Sequence, residues 1–158
     1  MADAASRAFD AQDALLALLL TLHTPATEDV PAGVLAEWHV DYGMPLTFDE
    51  LECFVAPGVT SVLSNVITGP PFCADEDFTL SAVLYVRKTG ASAMEIREEL
   101  RAAKEAVAAA IGADITLGGV LMQAHVSGFE FVSGIAEAEA RSRDAFMTID
   151  VECKAFIG

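Results

Sequence analysis

The sequence lacks any pair of cysteines at the spacing of a metal site or a redox motif. Its three cysteines, Cys53, Cys73 and Cys153, are far apart, and no Cys-x-x-Cys is present. A disulfide framework needs paired cysteines, and a free cysteine is among the most often buried side chains. The sequence therefore predicts buried free thiols and no disulfide.

The sequence also lacks an apolar run long enough to cross a membrane. The longest run, Ala14 to Leu20, has seven residues, whereas a spanning helix needs about 20. Yet 53% of the residues are hydrophobic and the mean hydropathy is +0.42. This apolar excess without a membrane segment is typical of chains that bury surface between subunits. We expect no membrane contact, and we expect subunit contacts from Leu15, Leu18, Leu19, Leu22, Phe129 and Phe131.

Basic residues are almost missing from the first half of the chain. Residues 1–86 contain 13 acidic side chains and 1 basic one, whereas residues 87–158 contain 11 acidic and 8 basic ones. The formal net charge is −15. Proteins that hold nucleic acid depend largely on Lys and Arg at the phosphates. The charge therefore argues against a surface that grips nucleic acid.

No motif of catalysis or nucleotide binding is present: GxSxG, the P-loop, GxGxxG and HExxH are all absent. His39 and Asp41 could be two metal ligands on one side of a strand, but no third ligand is indicated. The run Asp75-Glu76-Asp77 could bind a hard cation, although such a run is more often exposed surface. The sequence predicts no catalytic residue, no cofactor and no metal site, so we expect a protein that is not an enzyme.

The clearest pattern present is a strand followed by a capped helix between Phe78 and Gly112. Alternate residues from Phe78 to Val86 are apolar, which predicts a strand with one buried face. Ser92 and Glu95 form a capping box at the start of a helix. One face of that helix carries Ile96, Leu100, Ala103, Val107 and Ile111. We expect Gly112 to end the helix as a left-handed cap residue.

The remaining segments complete a single α+β domain over residues 1–158. One helix is predicted at about 3–23, and the long helix at about 92–111 packs on one face of the sheet. Further strands are predicted at 50–56, 59–68, 120–131 and 144–157. Connectors are predicted at 25–33, 69–77 and 133–142, and residues 34–42 fit either a short strand or a helical turn. The alternation changes phase after Gly128, which predicts a bulge or a bend. Strands that are not regularly separated by helices favour an antiparallel or mixed sheet.

The capped helix is followed by Asp114-Ile115-Thr116-Leu117-Gly118-Gly119, a long strand, and a closing strand that begins with Arg143-Asp144-Ala145. This order resembles the tail terminator proteins, also called tail completion or minor tail proteins, of long-tailed bacteriophages. The helix and the Asp-x-Thr-Leu-Gly-Gly segment are its most specific part, and they are a structural signature. The resemblance is clearest over residues 78–157. At the N-terminus, only the presence of a helix agrees with the family.

The resemblance implies a structural virion protein at the head-proximal end of the phage tail, assembled in the host cytoplasm. Proteins of this family form a homohexameric ring that caps the tail tube, ends its polymerisation and joins it to the head–tail connector protein. DNA passes through the ring without specific binding. We expect the acidic residues Glu28, Asp29, Asp75, Glu76 and Asp77 to face this channel or a rim that docks the partners.

Two alternatives stay open at this point. The chain could be another head–tail connector or a tail-tube subunit with a related α+β fold. It could also be a small-molecule-binding domain or an enzyme that uses Trp38, His39 and Phe129.

Overall fold

The computed structural model describes residues 6–137 and 142–158 of the chain. In chain order the elements are α1 (Ala8–Leu22), β1 (His39–Tyr42), β2 (Leu51–Val55), β3 (Ser61–Ile67), β4 (Cys73–Thr89), α2 (Ala93–Ala113), β5 (Gln123–Glu137) and β6 (Ser142–Ile157).

The strands form one mixed sheet in the order β1-β2-β4-β6-β5, and β3 pairs with the first part of β4. β1 runs parallel to β2, and the other pairs are antiparallel. The longest ladder joins β4 to β6 in continuous register from Ala74↔Ile157 to Thr89↔Ser142. The predicted α+β fold, with a mixed sheet, an N-terminal helix and a later long helix, is confirmed.

The core lies between this sheet and the two helices. α2 packs on β4, β5 and β6, and α1 packs on α2, β1 and β2. The five apolar residues predicted for the inner face of α2, from Ile96 to Ile111, are all buried. Every second residue of β6 from Ala145 to Ile157 is also buried. The apolar face of α2, with its helical period of 3.6, therefore packs on the apolar face of the strands, with their period of 2.

The start of α2 is where the capping pattern places it, but its end is not. The Ser92 hydroxyl accepts a hydrogen bond from the Glu95 N–H at 3.2 Å. The prediction for Gly112 is wrong, because α2 continues through Ala113 and Asp114 is its C-terminal cap residue. A glycine inside a helix costs only about 1 kcal/mol relative to alanine, so it does not by itself end one.

The Asp-x-Thr-Leu-Gly-Gly segment forms a turn held by its own side chains. The Asp114 carboxylate accepts hydrogen bonds from the Gly118 N–H at 2.8 Å and the Thr116 hydroxyl at 3.1 Å. The Thr116 hydroxyl oxygen in turn accepts from the Gly119 N–H. Leu117, Gly118 and Gly119 have positive φ, which glycine adopts without steric cost. The motif thus directs the chain from α2 towards β5.

Several strand boundaries differ from the sequence-based expectation. β4 begins at Cys73, so part of the predicted 69–77 connector is strand. β5 and β6 extend into the predicted 133–142 connector, of which residues 138–141 lie outside the described part. Residues 34–42, which fitted two structures, form a turn followed by β1. The predicted bulge is confirmed by a register shift between Val126 and Gly128.

The first helix is shorter than the predicted 3–23, since α1 spans Ala8–Leu22, and residues 1–5 lie outside the described part. No helix in the described ranges is long and apolar enough to cross a membrane. Cys53, Cys73 and Cys153 are free cysteines. Cys53 and Cys153 are buried as predicted, whereas the prediction for Cys73 is wrong because it is only half-buried. Burial raises the pKa of both buried thiols to about 12, so they stay protonated and unreactive near neutral pH.

Candidate functional site

β3 is an edge strand that leaves all seven of its residues exposed. It pairs with β4 from Ser61↔Phe78 to Ile67↔Cys73, and within the described ranges no second strand pairs with it. Its large apolar side chains are 45% to 62% exposed, namely Val62, Leu63, Val66 and Ile67. Val62 and Leu63 are adjacent, so they point to opposite faces of the strand. An exposed apolar edge strand is a ready template for association with another chain.

A groove of about 900 Å³ lies beside β3, between the turn that precedes it and the face of the sheet opposite α2. Its floor is polar, with Thr79 and Ser81 on β4, Glu152 and Lys154 on β6, and Gln123 and His125 on β5. His125 Nε2 lies 3.0 Å from a Glu152 carboxylate oxygen, and both side chains are more than half exposed. The β3 edge and this groove together form a continuous, partly apolar surface, which we call the β3 surface.

The structure separates the five predicted acidic contact residues. Glu28 and Asp29 are exposed in the loop between α1 and β1, and Asp77 is exposed on β4. Asp75 is half-buried and accepts a hydrogen bond from the Asn65 amide at 2.7 Å. Four of the five therefore remain on the surface, where they can face a channel or a partner.

Glu76 is wrongly predicted as a surface residue, since it is only 1% exposed. Its carboxylate accepts hydrogen bonds from the Ser6 hydroxyl at 2.6 Å, the Ser61 hydroxyl at 2.6 Å and the Arg7 N–H at 2.7 Å. Arg7 is the N-terminal cap residue of α1, where backbone N–H donors are free and the helix dipole favours negative charge. Glu76 is therefore a tertiary cap that joins α1 to β4.

The predicted interface residues on α1 are only partly available. Leu15 and Leu19 are fully buried in the chain's own core, so their prediction as subunit contacts is wrong. Leu18 and Leu22 are half-buried and pack against that core. The apolar half of α1 covers β1, β2 and α2 of the same chain, and an apolar helix pattern cannot distinguish this from contact with a second subunit.

The two predicted phenylalanines lie on β5, after the bulge. Phe131 is half-buried against the core, whereas Phe129 is 54% exposed. Lys104 Nζ of α2 lies 4.5 Å from the centre of the Phe129 ring, a cation–π contact. Phe129 thus remains available to a neighbouring subunit.

Trp38, His39 and Phe129 do not form one small-molecule site. Trp38 is buried in the core, and His39 and Phe129 lie on β1 and β5, the opposite edges of the sheet. The structure instead brings His39 to Glu52, its direct neighbour in the parallel β1–β2 ladder.

His39 Nδ1 lies 2.7 Å from a carboxylate oxygen of Glu52. The other Glu52 oxygen accepts a hydrogen bond from the Asp49 N–H at 2.8 Å, and Asp41 lies 4.0 Å from His39 Nε2. The hydrogen bond that the His39 ring makes to the Glu52 carboxylate raises the pKa of His39 above its usual value, against an opposing effect of burial. Sequence reasoning singled out His39 and Asp41 but missed Asp49 and Glu52, because only the fold brings these segments together.

No protein-family model and no curated protein matches the chain. Its fold and surface define an α+β protein with an exposed apolar edge strand and an acidic exterior.

Proposed function

We propose that this chain is a tail terminator subunit of a long-tailed bacteriophage. In this role it forms a homohexameric ring that caps the tail tube, ends its polymerisation and joins it to the head–tail connector protein. The observation that carries the assembly role is the β3 edge, with four large apolar side chains exposed. The assignment to a phage tail rather than to another assembly rests on the resemblance over residues 78–157.

The apolar side chains of β3 supply only part of the association energy. Full burial of a Val, Leu or Ile side chain contributes about 1.5–3 kcal/mol. Because these four are roughly half exposed, complete burial would add roughly 3–6 kcal/mol. Association costs about 4–15 kcal/mol in lost freedom. The interface must therefore be larger than the strand, and we propose that it includes the part of the groove formed by β5 and β6, so that Asp77 on β4 stays available for the channel or rim.

A ring requires that β3 meets a different surface of its neighbour. Contacts between unlike surfaces repeat head to tail and close into a ring when the rotation permits. Phe129, exposed on β5 at the other edge of the sheet, is the apolar position that we assign to the opposite side of this contact. Each subunit would then use both edges of its sheet.

The acidic surface fits a channel for DNA. Glu28, Asp29 and Asp77 are exposed and Asp75 is half-buried, and the chain carries a net charge of −15. A channel with few exposed cations offers passing phosphates little to bind, since phosphate affinity comes from Lys and Arg. We propose that these four residues line the channel or the rim that docks the tail tube and connector proteins.

Native mass spectrometry and negative-stain imaging of the full chain test the assembly. The wild type should form rings of six, whereas Val62→Ser combined with Ile67→Ser should leave monomers that keep the wild-type circular dichroism spectrum. The matched control is Val30→Ser combined with Met44→Ser, which removes two exposed apolar side chains away from β3. If the β3 variant assembles as well as the control, β3 is not the contact.

The position of the ring distinguishes the terminator from another head–tail connector or a tail-tube subunit. A virion reconstruction should show a single ring of this chain between the tail tube and the connector. Rings repeated along the tail would assign it to the tube, and a copy number other than six at the tail end would contradict the proposal.

The channel role is tested by reversing charge without disturbing Glu76. Asp75→Lys combined with Asp77→Lys should make assembled rings retain DNA at low salt. The control, Asp13→Lys combined with Glu130→Lys, changes the charge equally at other exposed positions. Equal DNA retention by both variants would show that only net charge matters.

A further inference from the structure

We infer that His39, Asp49 and Glu52 form a binding site for a divalent transition-metal ion. One ligand atom from each side chain lies within 4.8 Å of the other two. The residues come from β1, from the loop before β2 and from β2 itself. The sequence predicted no metal site because it showed only His39 and Asp41, and the fold now supplies two carboxylates beside His39.

Negatively charged side chains outnumber positively charged ones in this cluster, and the excess would attract a cation. The Glu52 side chain is 1% exposed, and no Lys or Arg nitrogen in the described ranges lies within 4.0 Å of its carboxylate, so His39 is its only basic neighbour. A carboxylate with so little contact with water needs hydrogen bonds or a partner of opposite charge, and Glu52 has the His39 ring and the Asp49 N–H. Asp49 and Asp41 add two further negative groups. A divalent ion would compensate this excess, which a single imidazole cannot.

The geometry needs only small side-chain movements to hold such an ion. Nitrogen and oxygen ligands lie about 2.0–2.2 Å from zinc, so ligands of one ion are separated by roughly 3–4 Å. On binding, the metal takes the place of the proton between His39 Nδ1 and the Glu52 oxygen. An imidazolium releases this proton to water, whereas a neutral imidazole carries it on Nε2 instead. Asp49 is exposed and lies on a loop, so its carboxylate can move inwards.

A cavity gives an ion access to the cluster, and the types of ligand atom indicate which ion would bind. A cavity of about 560 Å³, lined by His39, Asp49, Glu50 and Trp38 among others, opens beside the cluster. It leaves room for water to complete the coordination. One imidazole nitrogen with two carboxylates suits Zn²⁺ or a neighbouring divalent transition metal, whereas Mg²⁺ and Ca²⁺ prefer oxygen ligands alone. The ion would fix the loop carrying Asp49 to β1 and β2.

Calorimetric titration of the chelator-treated full chain with Zn²⁺ tests this site. We expect one Zn²⁺ per chain and a shift of the His39 ring resonances by NMR. Loss of even an outer partner of a metal site weakens binding about 10–100-fold. Asp49→Asn, which keeps the size of an exposed side chain, should therefore weaken Zn²⁺ binding at least about tenfold, and Glu52→Gln should do the same.

The matched control is His125→Gln, because His125 and Glu152 form another histidine–carboxylate pair on the same sheet. This variant should bind Zn²⁺ as the wild type does. Absence of Zn²⁺ binding by the wild type would overturn the proposal. So would equal affinity of the Asp49→Asn variant, or loss of binding in His125→Gln alone.

Discussion

The sheet beneath α2 and the β3 edge use apolar residues in opposite ways. Under α2, alternate residues of β4 and β6 point into the core and are buried. In β3, apolar residues occur on both faces and none is buried. Hydrophobic content alone is therefore a poor guide to the core of this protein. The arrangement of apolar residues along a strand indicates whether the chain itself covers them or leaves them for another molecule.

Substituting one leucine in the core and one on β3 gives the largest expected difference in unfolding free energy between the two regions. Leu100 of α2 is fully buried, so Leu100→Ala should lower the free energy of unfolding by about 2–5 kcal/mol. Leu63→Ala on β3, where the side chain is 45% exposed, should lower it by only about 1 kcal/mol. Urea unfolding under conditions where the chain is monomeric measures both. Similar losses for the two variants would mean that β3 is covered within the monomer.

Glu76 and Asp77 compare a buried and an exposed acid on adjacent residues of β4. Glu76→Gln removes the charge that caps α1 and should cost about 1.5–3 kcal/mol of unfolding free energy, the range for hydrogen bonds to a charged group. Asp77→Asn should cost less than about 0.5 kcal/mol. Thermal and urea unfolding of both variants check this, and equal costs would contradict the cap.

Ser92 tests how far α2 depends on its own first turn. Ser92→Ala removes the hydroxyl that accepts from the Glu95 N–H and should lower the free energy of unfolding by about 0.5–2 kcal/mol. Ser64→Ala, an exposed serine on β3, is the control and should have little effect. Unchanged unfolding of Ser92→Ala would show that packing alone fixes the helix start.

The smallest expected effect is a gain in stability at Gly112. This glycine lies inside α2, and a Cβ added there meets no atom within 4 Å. Gly112→Ala should therefore raise the free energy of unfolding by about 0.5–1 kcal/mol, because alanine loses less conformational entropy in a helix. Destabilisation measured by urea unfolding would instead indicate that the end of α2 needs glycine.

Much of the fold could be predicted because local pattern and tertiary packing agree. The inner face of α2, the alternation of β6 and the bulge near Gly128 all follow from residues close together in sequence. The start of β4 could not be predicted in this way. Glu76 occupies a buried position of the alternation, and a carboxylate there looks like part of an exposed acidic run until Ser6, Arg7 and Ser61 surround it.

The candidate sites were less accessible to sequence reasoning. Leu15 and Leu19 carry the same apolar signal whether their helix packs on its own sheet or on a neighbour, and only burial in the structure distinguishes the two. His39 meets Glu52 because β1 and β2 happen to be parallel neighbours. No spacing rule relates those two residues, since the loop between the strands determines their register.

The ladder between β4 and β6 has a mechanical consequence. It joins sixteen residue pairs without a break in register, from Ala74↔Ile157 to Thr89↔Ser142. Antiparallel hydrogen bonds lie perpendicular to the strands, so a pull along the strands strains many bonds at once. A pull across one end would instead open them one after another. The same ladder is therefore stiff against sliding and weak against peeling, and its response depends on the direction from which force arrives.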